Sequence, residues 1–380
     1  MVLRVLLYGY TAYIHRRRQA RCRRKGRATF LAVAKAGVLR NTALKNNPHA
    51  SDRFAGTAHQ GVSFFCEKKP AGRQGMPQIP AVYAKPAKPP KALLRHLRAK
   101  GLNTRGQTDL ALRALTFIGY HRLLIYMRPL QDAAKQFHPG VRFDDILALY
   151  NFDRELRLVC LDAIERIEVA FRAAIANTLA CDKACGPHFY LDAIHFANIE
   201  DHRGFLKNVL GLRETALPVK HYYSNYNTPA LPPIWVVLEE MSIGQLSRLL
   251  EGLHLDHRKS IAACFTYDES VLITWLKSLT TLRNLCAHHS RLWNTSITSN
   301  TPKYANAIQA EFPPQADRGR VFSRAVVVQA LMRVIDPASD WKAQFKAVMA
   351  TLPVATLARA GCAPNVLGLV PGWEARPFWN

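Results

Sequence analysis

Along residues 152–180, FDRELRLVCLDAIERIEVAFRAAIANTLA, apolar side chains recur with a helical period. Leu156, Val159, Ala163, Ile167, Ala170 and Ala174 follow one line, and Cys160, Ile164 and Phe171 widen it. Asp153, Arg157, Glu165, Glu168 and Arg172 sit mostly off that stripe, which predicts a long amphipathic helix with a solvated charged face. Glu168 and Arg172, four apart, suit an ion pair of about 0.2–0.5 kcal/mol. Gly186 and Pro187 in GPHFY predict the stop. A second break falls in NTPALPPIW (227–235), and Pro233 begins a predicted helix PIWVVLEEMSIGQLSRLL (233–250). Residues 271–293, VLITWLKSLTTLRNLCAHHSRLW, also read as one helix. Trp275, Leu279, Leu282, Cys286, His289 and Trp293 fall on its apolar line, and Lys277, Thr281, Asn284, His288 and Arg291 on the opposite one. That register makes His289 a core histidine and leaves His288 on the polar face, with Arg283 on its flank.

Beyond residue 91 there is little β-branched alternation, so the fold class expected is all-α. No apolar run approaches the about 18 residues of a membrane span, and no phosphate-binding glycine loop or internal repeat is present. Chain length and the breaks organise the rest. Six prolines in residues 70–90, ending KPAKPP, read as a linker. Residues 1–85 are expected to be a disordered basic, Pro-rich leader. Residues 91–380 are expected to form an all-α domain, with 91–150 an N-terminal helical part, 151–350 the helical core and 351–380 a C-terminal tail packing on it.

Charge changes this picture less than its total implies. The formal net charge is +25, but residues 1–91 hold 19 of the 52 Lys/Arg and only 2 of the 27 Asp/Glu. The folded part is mildly basic, so the total is weak evidence for a nucleic-acid partner. The leader's order, apolar first and basic after, is the reverse of an export signal. A solvated basic tail is the preferred reading over a nucleic-acid-contacting arm. Eight scattered cysteines fit a reducing cytoplasm. CDKACGPH brings Cys181, Cys185 and His188 close in sequence, but no second Cys/His pair with finger spacing follows, and no metal or other cofactor is expected.

The chemistry concentrates in LRNLCAHHSRLWN, residues 282–294. Adjacent histidines on a helix diverge by about 100° and cannot readily share an ion, and no carboxylate is nearby in sequence. Ser290 lacks the glycine-rich elbow of a serine hydrolase. Arginine, asparagine and histidine together do suit metal-free phosphodiester cleavage. Histidine moves protons near neutrality, and arginine neutralises charge on phosphoryl oxygens. Asparagine can orient either, and RNA supplies its own 2′-hydroxyl nucleophile. On composition alone a polar helix end remains an equal reading.

Arg283, Asn284 and His288 resemble the Arg-Asn-x-x-x-His motif of HEPN-type ribonucleases. More closely, LRNLCAHHSRLWN is similar to the signature of the Abi family of phage-defence proteins, the AbiD/AbiF-like group. FIGYHRLLIYMRPL (117–130), FDDILALYNFDRELRLVCLDAIERIEVAFR (143–172), PPIWVVLEEMSIGQLSRL (232–249) and PGWEARPFWN (371–380) look like family blocks in family order. The resemblance covers about 91–380 and leaves the leader outside. It implies an all-α, HEPN-like helical bundle with its site at a homodimer interface. It also implies a metal-independent endoribonuclease that halts growth during infection, in some cases within a toxin–antitoxin pair. The partners implied are substrate RNA and an antitoxin, either a protein or a small noncoding RNA. Arg283, Asn284 and His288 are then the expected catalytic residues, supported by His289, Arg291 and Asn294, in a cytoplasmic protein without a membrane anchor. Two other functions compete. One is a non-catalytic RNA-binding member of the same family. The other is a DNA-binding regulator, because ALLRHLRAKGLNTRGQTDLALRALTFIGYHRLL (92–124) reads as helix, Gly-containing turn and helix.

Overall fold

The structure, a computed structural model, describes residues 86–361 and 364–380, so the expectation for residues 1–85 lies outside the described residues. Within them the all-α expectation holds. Among the described residues thirteen α-helices are present, and the only extended pairings there are three isolated bridges. The first helix, α1 (Pro90–Ala99), starts where the proline run ends, with Pro90 in its first turn. α2 (Thr108–Ala114) and α3 (Tyr120–Met127) follow, joined by one wider turn at Leu115–Gly119. Residues 100–107 separate α1 from α2. A DNA-reading helix pair uses a turn of about 3–4 residues, so this longer link disfavours the regulator reading.

The predicted long helix is α4, Phe143–Ile175, nine residues longer at its start than the periodicity of 152–180 indicates. The backbone N–H groups at its start are taken up by side chains, one from another segment and one from its own first turn. Gln107 Oε1 accepts from Phe143 at 3.1 Å, and the Asp145 carboxylate accepts from Arg142 at 2.8 Å. The apolar stripe is buried from Ile146 to Ile175. The helix widens into a last turn at Ala176–Ala180 and stops before Cys181, so Gly186 and Pro187 belong to the following loop. α5 (Ile199–Gly211) and α6 (Leu217–Asn225) come next. The helix expected over 233–250 is two: α7 (Ile234–Glu239) and α8 (Ile243–Gly252). Ser242 and Gln245 form a capping box at the second start, Gln245 Oε1 accepting from Ser242 N at 2.9 Å, and that local signal overrides the shared periodicity.

α9 (Leu255–Ala263) and α10 (Glu269–Ala287) lead to a long loop and then to α11 (Val321–Ile335). Every residue of α11 from Val321 to Met332 is buried, as expected of a helix apolar on all sides at the centre of a bundle. α4 packs against α10, α11 and α12 (Trp341–Ala350). Trp341 Nε1 donates to Val159 O at 2.8 Å, fixing α12 on α4. Buried Trp373 and Trp379 of the last segment pack with Phe322 and Phe345, buried Phe378 stands edge-on to Trp379, and Gln329 Nε2 donates to Phe378 O at 2.9 Å. Last among the helices is α13, Val354–Arg359.

Candidate functional site

α10 carries the arginine–histidine stretch to its C-terminal end. Asp268 starts the helix, its Oδ1 accepting from Ser270 N at 2.8 Å, and bonds to Ser270 hold its carboxyl below the usual range. Leu272, Trp275, Leu276, Leu279, Leu282 and Cys286 bury the apolar face. The helix ends at Ala287 rather than at Trp293. Ser290 N donates to Leu285 O at 2.8 Å, His289 N donates to Cys286 O at 2.9 Å, and His289 takes the left-handed φ of 57°. This pattern is a Schellman cap with histidine at the position glycine usually fills.

That stop changes three readings. His289 is exposed and is not a core histidine, because the chain turns out of helical register one residue before it. Arg291 does not continue the polar line of Asn284 and His288. It lies half-buried, with Nη1 on Ile125 O at 2.9 Å, Nη2 on Asn294 O at 3.2 Å and Nε on Thr295 Oγ1 at 3.3 Å. Burial lowers its guanidinium pKa. Trp293 is fully buried, as its place on the apolar line predicts, but it arrives there through the loop. Arg283 is half-buried, while Asn284 and His288 are exposed at the helix end, with His288 N donating to Asn284 O at 2.9 Å. Asn294 has a left-handed φ of 49° in the loop that follows.

What holds the stop in place comes from α3 and α4. Asp153 Oδ1 accepts from Leu292 N at 3.0 Å and from Trp293 N at 2.6 Å. Its Oδ2 accepts from Tyr126 Oη at 2.7 Å and is ion-paired with Arg157 Nη1. Arg157 Nη1 also reaches Ser290 O at 3.3 Å. Asp153 and Tyr126 are fully buried and Arg157 is 4 % exposed. Burial pushes the Asp153 carboxyl up from its ordinary range, while Tyr126, Arg157 and the two backbone donors oppose the rise. Burial and the Asp153 carboxylate push the Tyr126 hydroxyl far above its usual value. Further along the loop, buried Arg324 of α11 donates through Nη2 to Ile297 O at 3.1 Å and Ser299 O at 2.9 Å; burial pushes it down to about 10.

Asp153 and Arg157 were expected mostly off the apolar stripe, and the structure corrects this, because both are buried. A signal for it exists in the sequence. Both lie on the helical line of Cys160, Ile164 and Phe171, spaced four, three, four and seven, so they belong to the widened stripe and point inward. Cys185 also finds partners other than those adjacent in sequence. Its Sγ lies 3.9 Å from His195 Nδ1, which is 2.9 Å from His257 Nε2.

Residues 113–294 match the model of a family described as Abi-like protein. The matched stretch runs from the end of α2 to Asn294 and so includes α4, α10 and the locked loop. Over that stretch, just under half of the chain, the sequence is similar to the Abi-like family, a likeness that supports a role in abortive infection, a phage-defence response. No curated protein and no solved structure matches it. Among the described residues no helix is long and apolar enough to cross a membrane.

Proposed function

We propose that the chain is an abortive-infection effector that cleaves RNA without metal, using Arg283, Asn284 and His288. The observation that carries this reading is the geometry of the helix end. Asn284 and His288 are exposed together with half-buried Arg283 beside them, and the loop behind is fixed by hydrogen bonds among Tyr126, Asp153, Arg157 and residues 290–293. A reacting group on a rigid support needs little reorganisation when substrate arrives. In this reading the RNA 2′-hydroxyl attacks the adjacent phosphorus. A histidine takes the proton of that hydroxyl, Arg283 neutralises the phosphoryl oxygens, and a second proton goes to the departing 5′-oxygen. Asn284 orients the phosphate or the imidazole. His289 and Asn294 shape the turn, and Arg291 anchors it to α3.

One histidine can hardly serve both faces of the phosphate in a single step. A two-fold homodimer would bring two His288 and two Arg283 into one cleft. Such a protein works in the cytoplasm and is restrained by an antitoxin, protein or RNA. Purified full-length chain incubated with total RNA, with and without EDTA, tests the proposal. The expected products carry a 2′,3′-cyclic phosphate and a 5′-hydroxyl in both conditions. Mixing in His288→Ala subunits should depress activity beyond simple dilution. RNA that is bound but left intact would favour a non-catalytic RNA-binding protein, and loss of activity in proportion to the wild-type fraction would remove the shared cleft.

A further inference from the structure

Three segments far apart in the chain converge outside the arginine–histidine stretch. The loop after α4 supplies Cys185, a short turn at Ala193–His195 supplies His195, and α9 supplies His257. One ligand atom from each, a sulfur and two ring nitrogens, lies within 4.8 Å of the other two. All three residues are half-buried. Their closeness is built into the backbone. His254 N donates to His195 O at 2.8 Å, Ala197 N donates to Gly252 O at 2.8 Å, and Phe196 bridges Leu253, so residues 195–197 are clipped to the segment that starts α9. Gly252 leaves room for the start of α5 beside the same segment, because a Cβ there would come within 2.9 Å of Asp201 Cβ. On the other side, Asp182 Oδ1 accepts from Ala184 N at 2.8 Å and Asp182 O accepts from Gly186 N at 2.8 Å, which folds the loop that presents Cys185. The Phe189 ring stands edge-on to His195, with ring centres 5.8 Å apart.

We propose that Cys185, His195 and His257 form a zinc site with three protein ligands and one position left to solvent. The donor set is the one a borderline-soft divalent ion takes, one thiolate with two imidazoles. A tetrahedral zinc with bonds of about 2.0–2.3 Å needs ligand atoms about 3.3–3.6 Å apart. The separations of 2.9 Å between the nitrogens and 3.9 Å from sulfur to the His195 nitrogen lie on either side of that spacing, and all three ligand atoms lie within 4.8 Å of one another, so side-chain rotation would bring them to one ion. Burial raises the Cys185 thiol and lowers the His257 imidazole. Zinc entry then forms the S–Zn bond as the Cys185 proton leaves to solvent, and each imidazole binds through a neutral nitrogen. The ion would tie the loop after α4, the 193–195 turn and α9 together, a structural role that shares no residue with the arginine–histidine stretch.

The test uses the full chain, stripped with EDTA and dialysed, then titrated with Zn²⁺ alone. One equivalent should bind, and the thermal midpoint should rise by about 3–5 °C when free zinc stands ~100-fold above its Kd. Co²⁺ in place of zinc should give a near-ultraviolet thiolate-to-metal charge-transfer band. Cys185→Ser should abolish the band and the midpoint shift while the far-ultraviolet circular dichroism stays that of the wild type. His257→Ala is the second variant and should lower affinity on the order of 100-fold. No zinc bound by folded wild type overturns the site. Binding that survives in both variants does the same, because it places the ion on other histidines or cysteines. The readouts are metal and stability, so the result is independent of whether the chain cleaves RNA.

Discussion

The end of α10 and the wall behind it use the same kinds of side chain for opposite purposes. Asn284 and His288 face solvent, while Asp153, Arg157 and Tyr126 are sealed from it. An exposed polar group is already solvated, so removing it costs the fold little, and it can change protonation state or meet a ligand. A buried one is held by its partners, and each of them is left wanting if it goes. A working surface at the end of α10 thus stands a few residues before the loop, residues 290–293, that the buried lock on α3 and α4 grips.

The largest expected effect is on the working side. His288→Ala should lower RNA cleavage by about 10²–10⁴, the usual contribution of a general acid or base, while stability changes by less than about 0.5 kcal/mol. Single-turnover cleavage of a labelled RNA and urea unfolding measure the two quantities. An intact cleavage rate would remove His288 from the chemistry.

Next comes the lock. Asp153→Ala leaves the Arg157 guanidinium buried without its carboxylate and frees the N–H groups of Leu292 and Trp293, so about 3–5 kcal/mol of stability should be lost. Asp153→Asn should cost less, because an amide oxygen still accepts from the backbone. Replacing Asp153 and Arg157 together by apolar residues of similar volume should recover part of the loss in urea unfolding, as buried ion pairs exchanged whole commonly do. A single Asp153→Ala loss below about 1 kcal/mol would show that the network does not hold the stop.

Tyr126→Phe removes one donor to the same carboxylate and should cost about 1.5–3 kcal/mol near neutrality. It also changes the alkaline limb. The folded chain keeps the Tyr126 hydroxyl protonated to a higher pH than the unfolded chain, whose tyrosines ionise near 10. Above about pH 10 the unfolded state therefore binds fewer protons than the folded one, and stability falls as pH rises. Tyr126→Phe should shallow that fall, because phenylalanine has no proton to lose. Equal slopes in the two proteins would assign the alkaline limb to other groups.

These contrasts were only partly legible from sequence. The long helix and the all-α class follow from a period that tertiary contacts reinforce, and the Abi-like stretch from a resemblance carried by sequence blocks such as LRNLCAHHSRLWN. Helix ends do not, because they are decided by where orphan N–H and C=O groups find partners. The apolar line through Trp275, Leu279, Leu282 and Cys286 runs on to His289 and Trp293 by spacing alone, yet Asp153 captures the N–H groups of Leu292 and Trp293 from another helix, and the register ends at Ala287. In the same way Ser242 and Gln245 split a continuous apolar pattern into α7 and α8. Arg283, Asn284 and His288 fall within about two turns of one helix, so their spacing keeps them near one another wherever that helix ends. His195 and His257 were not legible as neighbours of Cys185, because nothing in a single sequence ties residues 62 positions apart.

The smallest effect falls on the residue that stands between the two sides. His289 holds a left-handed φ of 57° at the position after the helix cap, where a side chain with a Cβ pays in local strain and glycine does not. Its imidazole is exposed, so little packing is lost with it. His289→Gly should therefore raise stability by about 0.5–1 kcal/mol, the strain relieved being larger than the added freedom of the unfolded chain. His289→Ala should lower it slightly, because alanine keeps the Cβ and loses the local hydrogen bonding that makes histidine tolerable there. Urea unfolding of the two variants gives the signs, and opposite signs are the diagnostic result. A loss of several kcal/mol in both would return His289 to the core and with it the longer helix. Should His289→Gly prove more stable and still cleave RNA as the wild type does, the cap serves the fold alone and the chemistry stays with His288.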